Sequence, residues 1–445
     1  MYHFLKILCK LTLLAYFRKV KIEGKEHLKG DGPFIFVANH PSAFMDPIVV
    51  ASSIKPAVYF LAAGEYMGKG FKFWFFHKFL HMIPIYRPDT MPGDTHKNKE
   101  AFAKSIQHLS KKKCLLVFPE GVSVTEKKIL PLKTGVARIA RETELALELK
   151  AGIKIVPVGL NYTDPHTFRS DLFVNIGEPI LAADFFSNDP EKEKEEVKEL
   201  TQHIEDRMID TVLHIESKEV EDIIDGINKT YTRDLKNTLG VEFSDQDREF
   251  ELNKLTIAAV HHFHTSKPED YSKMKALLDE YIKSLEAQGI RDREFRNVNK
   301  KVPWHLTLGY IIGAPFFLLG WVFNYIPYKI NVALQNKLGF KDSFKGSMIL
   351  GFGLGLFLIW FTTLTILCWN FTPLSYYSLI LPVAMYLSGA YALVYLSSLN
   401  YIIRRMKLRK FLADNAKIES DITQKRSEII ELFESYRAEF DSTKG

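Results

Sequence analysis

Nine consecutive residues, Asn39-His40-Pro41-Ser42-Ala43-Phe44-Met45-Asp46-Pro47, hold a histidine and an aspartate within one short stretch. An aspartate beside an imidazole orients the ring and stabilises its protonated form. The other ring nitrogen is then free to take a proton from a hydroxyl. No serine stands in the Gly-x-Ser-x-Gly setting that would supply a nucleophile from the chain itself. The base would therefore act on the substrate's own hydroxyl, which suggests direct acyl transfer. A loop histidine held by a nearby aspartate is also a common structural feature, so the rest of the chain has to decide between the two readings.

The flanking residues say how such a pair would be held. Phe34-Ile35-Phe36-Val37-Ala38 is an unbroken apolar run, the pattern of a strand buried inside a parallel sheet. Pro41 forbids helix directly after it, which leaves His40 in a loop at the carboxyl end of that strand. Open α/β sheets place their chemistry there. Asp46-Pro47 reads as a helix start, a cap residue followed by proline at the first helical position.

Residues 20–185 alternate in α/β fashion and read as one compact domain. Strands are expected at Val20–Ile22, Pro33–Ala38, Ala57–Ala62, Met82–Tyr86, Cys114–Phe118, Lys154–Gly159 and Leu172–Ile176. Helices are expected at Asp46–Ser53, His96–Ser110 and Gly135–Leu149. Three further groups fall at strand ends. Arg87 closes His81-Met82-Ile83-Pro84-Ile85-Tyr86-Arg87, and a guanidinium can grip a phosphate bidentately. Glu120 and Gly121 follow Phe118-Pro119 in a rigid turn that can accept bonds from hydroxyls, although a fold-internal role fits Glu120 equally. Lys133 and Lys69 can add positive charge, or serve only as surface lysines. Asn161, Tyr162 and Arg169 are read as structural.

The remaining sequence points to a lipid surface. Lysine and arginine total 59 against 53 acidic residues, which excludes the one-sided charge of a nucleic-acid binder. Residues 1–19 are apolar but carry Lys6, Lys10, Arg18 and Lys19. They read as an amphipathic helix in the membrane interface, with lysines towards the headgroups. Residues 186–301 are charge-rich and helical, with one apolar stripe at Val197, Leu200, Ile204, Met208 and Val212.

Residues 302–403 form a membrane region. The uncharged segments 346–369 and 376–399 read as spans. Segment 305–327, interrupted by Pro315 and Pro327, reads as re-entrant or interfacial. Lys300-Lys301, the lysines at 329, 337, 341 and 345, and Arg404 to Lys410 put the flanks on the cytoplasmic side by charge, while Asn370–Ser375 carries none. Residues 404–445 form a basic cytoplasmic helical tail, with Ile422, Ile429, Phe433, Tyr436 and Phe440 as its apolar stripe. Cys9, Cys114 and Cys368 lie in apolar surroundings with no disulfide or zinc spacing, and read as buried thiols in a reducing compartment. His261, His262 and His264 lack the partners a metal site needs.

Four stretches recur in a telling order: the His40/Asp46 loop; His81–Arg87; Phe118-Pro119-Glu120-Gly121 with Leu130-Pro131-Leu132-Lys133-Thr134-Gly135; and Ile155-Val156-Pro157-Val158-Gly159-Leu160-Asn161-Tyr162 with Phe168-Arg169-Ser170. This succession resembles the glycerol-phosphate and lysophosphatidate acyltransferase family. It is most similar to the glycerol-3-phosphate/dihydroxyacetone-phosphate subgroup. The resemblance is specific from residue 33 to about 180 and weaker through the C-terminal apolar region.

The resemblance implies an α/β acyltransferase-like domain with a mainly parallel sheet, joined to a helical region and a C-terminal membrane region. It implies that His40 is the general base, Asp46 its orienting carboxylate, Arg87 the phosphate contact, and Glu120 and Gly121 acceptor-binding residues. It links Pro157 to fold integrity and the acyl donor. The implied reaction moves a fatty acyl group from acyl-CoA or acyl carrier protein to glycerol-3-phosphate at the membrane, with no metal or organic cofactor and no nucleic acid. Five residues separate His40 from Asp46 where the family commonly has four, which puts the contact of Asp46 in question. A 1-acylglycerol-3-phosphate or other lysolipid acceptor, an aminolipid, hydrolysis of the thioester, and an inactive lipid-binding scaffold are the competing readings.

Overall fold

The computed structural model describes residues 2–30, 32–68, 70–88, 90–240, 246–340, 342–373 and 375–443. Lys69 and Lys341 lie outside the described residues. The chain divides into two compact units, Met1–His214 with Leu334–Leu354, and Ile215–Ala333 with Gly355–Gly445.

The first unit is built on an eight-stranded sheet. Its elements in chain order are α1 (Tyr2–Tyr16), β1 (Lys19–Glu23), β2 (Phe34–Ala38), α2 (Met45–Ser53), β3 (Val58–Ala63), α3 (Phe71–Phe79), β4 (Met82–Ile85), α4 (Asn98–Ser110), β5 (Cys114–Val117), α5 (Gly135–Ala146), β6 (Lys154–Tyr162), β7 (Asp171–Ile176), β8 (Ile180–Leu181) and α6 (Glu193–Thr211). The spatial order is β1-β7-β6-β2-β5-β3-β4, with β8 on β6. Every pairing is parallel except those of β6 with β7 and β8. All seven expected strands form, within a residue or so at most ends. β6 runs on to Tyr162 because its far end pairs antiparallel with β7.

β2 shows why this register is fixed. It lies between β5 and β6, and all five of its residues are buried. Ile35 and Val37 face a core shared with α4, α5 and α6, while Phe34, Phe36 and Ala38 face a second core shared with α1 and α2. A slip of one residue would exchange the two faces. The stripe Val197, Leu200, Ile204, Met208 and Val212 packs into the first of these cores. The sheet unit therefore extends to His214, beyond the boundary at 185 expected from composition. Charge content suggested a break there, but the apolar face of α6 is what covers the sheet.

Three local readings need correction. Helix α2 begins at Met45 with Phe44 at the N-cap and no side-chain cap, so Asp46 lies in the first turn and is not the cap. Its carboxylate instead reaches back over the preceding loop. Lys6 does not point to headgroups: its ammonium donates to the carbonyls of Ile54 and Lys55 just past the end of α2. The exposed face of α1 is Phe4, Ile7, Leu11 and Leu14, while Leu13 and Tyr16 are buried in the sheet core. Of the three thiols only Cys114 is buried.

The second unit is helical: α7 (Lys218–Thr230), α8 (Thr232–Thr238), α9 (Gln246–Ser266), α10 (Pro268–Ala287), α11 (Asp292–Phe295), α12 (Trp304–Leu338), α13 (Asp342–Phe371), α14 (Leu381–Ala413) and α15 (Ala416–Thr443), with the end of α12 and the start of α13 assigned to the first unit. Ile422, Ile429, Phe433, Tyr436 and Phe440 of α15 are buried in one core with Ile223, Ile224, Met274, Tyr281, Leu408 and Leu412. α12, α13 and α14 are each long and apolar enough to cross a membrane. α12 is one continuous helix through Pro315 and Pro327, where the sequence suggested an interrupted segment.

Candidate active site

The loop between β2 and α2 brings the histidine and aspartate together despite the extra residue. His40 Nδ1 lies 2.8 Å from Asp46 Oδ2. The chain absorbs the added length in a turn: the Met45 amide donates to the Ser42 carbonyl at 2.8 Å, and Ala43 takes a positive φ of 34°. Asp46 is fully buried, so its charge must be met by donors. Oδ2 also accepts the Ser42 amide at 2.7 Å, and Oδ1 accepts the Tyr162 hydroxyl at 2.8 Å. Burial, with the Asp46 charge beside it, pushes the Tyr162 hydroxyl well above its usual range, so it stays a donor.

A carboxylate can only accept, so Nδ1 carries the proton and Nε2 keeps its lone pair. The ring stacks on Phe118 with centroids 4.0 Å apart and planes 16° from parallel. The imidazole is thus fixed from one face and from Nδ1. Its side chain retains 19% exposure, enough for a hydroxyl to reach it.

Glu120 fixes the backbone of the same residue. Its Oε1 accepts the His40 amide and its Oε2 the Leu130 amide, each at 3.2 Å. Burial drives its carboxyl up to about 7, and the two amide bonds only partly offset this. The loop after it closes over the site: Val124 N donates to His40 O, Ser123 Oγ accepts the Ala43 amide, and Thr125 Oγ1 donates to Pro41 O.

Arg87 reaches this loop from the end of β4. Its Nη1 donates to the Gly121 carbonyl at 3.3 Å, and its Nη2 pairs with Glu65, just past the end of β3. Burial raises the Glu65 carboxyl. Hydrogen bonding from Thr90 and the Arg87 guanidinium outweigh that and leave it below the usual carboxylate range. Gly121 has φ of +74°, and a Cβ there would lie 2.7 Å from Lys133 Nζ, so only glycine lets the lysine lie across this turn. His40, Asp46, Arg87, Glu120, Gly121 and Lys133 therefore assemble at the carboxyl edge of the parallel strands β2, β4 and β5.

Sequence reasoning missed three contributors. Tyr162, which the sequence alone reads as structural, ends β6 beside β2. Glu65 follows β3 at the same edge as Arg87, which was the available signal. Ser347, in the second turn of α13, touches the His40 loop and left no local trace in the sequence.

With this geometry in place, the class of the domain is clear: residues 19–161 match the model of the Acyltransferase family, and the chain carries an acyltransferase domain of that family. Glycerol-3-phosphate O-acyltransferase 1 of Saccharomyces cerevisiae is 38% identical over 104 residues, 22% of this chain and 13% of that protein. Glycerol-3-phosphate O-acyltransferase 2 of the same yeast is 38% identical over 84 residues, 19% of this chain and 11% of that protein. An uncharacterized acyltransferase of Schizosaccharomyces pombe is 27% identical over 194 residues, 43% of this chain and 27% of that protein. The chain thus spans about a quarter or less of the length of these relatives. Among solved structures, the 1-acyl-sn-glycerophosphate (LPA) acyltransferase PlsC from Thermotoga maritima is similar at 25% identity, covering 45% of this chain and 78% of that one, with a TM-score of 0.33.

Proposed function

We propose that this chain is a membrane-bound O-acyltransferase that moves a fatty acyl group from a thioester to glycerol-3-phosphate. The observation that carries this reading is the His40 Nδ1–Asp46 Oδ2 bond, which leaves Nε2 as an accessible base on the same sheet edge as Arg87. His40 Nε2 takes the proton of the acceptor hydroxyl as its oxygen attacks the thioester carbonyl. Asp46 stabilises the imidazolium that forms. The tetrahedral intermediate collapses, the C–S bond breaks, and the imidazolium returns its proton to the departing thiolate. Arg87 and Lys133 bind the acceptor's phosphate. The Glu65–Arg87 pair positions the guanidinium and opens to admit the phosphate dianion. Glu120 keeps spare lone pairs for a glycerol hydroxyl while it secures the His40 backbone.

The catalytic unit faces the cytoplasm against the bilayer, with the exposed face of α1 in the interface. Two considerations support two crossings, by α13 and α14. Leu350 is buried in the sheet core, so α13 starts on the catalytic side. Leu408 and Leu412 share a core with α7, α9 and α10, so the chain returns to the side it left. From Gly351 to Phe371 a helix rises about 30 Å, one hydrocarbon thickness.

The test is an assay of the purified protein in detergent. It compares glycerol-3-phosphate with 1-acylglycerol-3-phosphate, each with acyl-CoA and with acyl carrier protein. Turnover of glycerol-3-phosphate well above that of the lysolipid supports the reading. The reverse order makes the chain a lysophosphatidate acyltransferase.

A further inference from the structure

One polar contact joins the His40 loop to a helix far away in sequence. Ser347 Oγ donates to the Ser42 carbonyl at 2.9 Å and accepts from the Met45 amide at 3.0 Å, so a single hydroxyl bridges both ends of the Ser42–Met45 turn. Ser347 is buried, and so are Ser42 and Met45. The neighbouring residues show that this is a fitted joint. A Cβ on Gly346 would lie 2.2 Å from the Pro165 carbonyl oxygen and 3.1 Å from Met45 Cε, so the helix backbone lies directly against the β6–β7 connection and beside the Met45 side chain. Phe344 meets Phe44 edge-on, and Leu350 is buried in the sheet core. The same helix, α13, continues to Phe371 and is long and apolar enough to cross a membrane.

We propose that Ser347, carried by α13, is a positioning residue for the His40–Asp46 pair. The inference rests on the reading of His40 as the base. The Ser42–Met45 turn carries a residue at positive φ and holds both the Ser42 amide and the first turn of α2, which together aim the Asp46 carboxylate at Nδ1. Bridging the turn fixes its two ends, and a displacement of about 1 Å in such a constellation is enough to cost roughly 10²-fold in rate. Ser347 touches no reacting atom, so its loss acts on turnover and not on substrate binding.

The test uses the whole chain in lipid nanodiscs. Ser347→Ala should lower kcat at least about 10-fold with acceptor and donor KM within about twofold of the parent. Ser347→Thr, which keeps the hydroxyl, should recover most of the loss. Gly346→Ala, which pushes the helix off the loop, should reproduce it. Thr363→Ala removes only a bond within α13 to Ile359 and should leave kcat unchanged. Should Ser347→Ala fail to fold, Ser347→Cys is assayed in its place and should give an intermediate kcat. His40→Ala separates this inference from the reading beneath it. An inactive His40→Ala beside a fully active Ser347→Ala overturns the inference alone, whereas an active His40→Ala overturns the reading itself. A Ser347→Ala variant that raises KM without lowering kcat also overturns the inference.

Discussion

The Tyr162 hydroxyl donates a hydrogen bond to Asp46 Oδ1 at 2.8 Å, on the carboxylate oxygen that His40 does not use. The two residues are 116 positions apart and meet because β6 pairs with β2 in parallel and runs past its end. Asn39 makes the junction rigid: its side chain donates to the Leu160 carbonyl and accepts the Leu160 amide, continuing the ladder one residue further. Tyr162→Phe removes a bond to a buried charge. It should cost about 1.5–3 kcal/mol in stability and lower kcat by roughly tenfold, with both KM values nearly unchanged. Steady-state kinetics and thermal unfolding of the same preparation measure both effects. An unchanged kcat would mean that Asp46 is held well enough without the tyrosine.

Arg87 is the proposed contact for the acceptor's phosphate. Arg87→Ala should raise the acceptor KM far more than the donor KM, by the equivalent of about 2–4 kcal/mol for a charge-assisted contact in a largely dry site. Arg87→Lys should recover only part, because the fork that reaches both Glu65 and Gly121 is lost. Equal effects on both substrates would make Arg87 a structural residue.

Glu120 predicts a pH dependence of stability. Its carboxyl stands at about 7 in the folded chain against an ordinary value of 4.5, because burial disfavours the charged form. A raised carboxyl favours the fold most below its ordinary value, and that contribution is lost as pH climbs through 7. The parent should therefore lose stability between about pH 4.5 and 7, by up to roughly 3 kcal/mol, relative to Glu120→Gln, which cannot titrate there. Thermal unfolding of both proteins across that range checks the slope. A parent that gains stability relative to the variant as pH rises would show that the amide bonds to His40 and Leu130 outweigh burial.

How much of this was legible beforehand follows from the range of the interactions. Strands such as Phe34–Ala38 and Cys114–Val117 announce themselves because burial on both faces leaves a continuous apolar run. His40, Arg87 and Glu120 were legible because each follows such a run. The orientation of Asp46 was not, because the local pattern of an aspartate before a proline reads as a cap, and only the buried loop amide and Tyr162 draw the carboxylate back. The place of α6 was hidden for a related reason. Its exposed face is densely charged, and the average masks an apolar stripe that covers the sheet. Ser347 lies some three hundred residues from the loop it bridges, and no spacing rule connects them.

Topology is tested with single cysteines at Ser110, Asn336, Ser375 and Ser442 in a cysteine-free background, labelled on intact cells by an impermeant thiol reagent. Ser110, Asn336 and Ser442 are exposed, whereas Ser42 is fully buried and would resist labelling on either side. Only the Ser375 site should react. Labelling at Asn336 would show that α12 crosses the bilayer. Labelling at Ser442 would contradict the proposed return of the chain to the side of α7, α9 and α10, with which α15 shares a core.

The central claim is that His40 is the base in acyl transfer, and it is tested most directly by the kcat of His40→Ala with glycerol-3-phosphate and a thioester donor. The residue lies in a loop with its ring against Phe118 and its amide held by Glu120, so the variant should fold like the parent. Its kcat should fall by about 10³-fold or more, with the acceptor KM little changed. A folded His40→Ala protein that turns over within about tenfold of the parent would contradict the account.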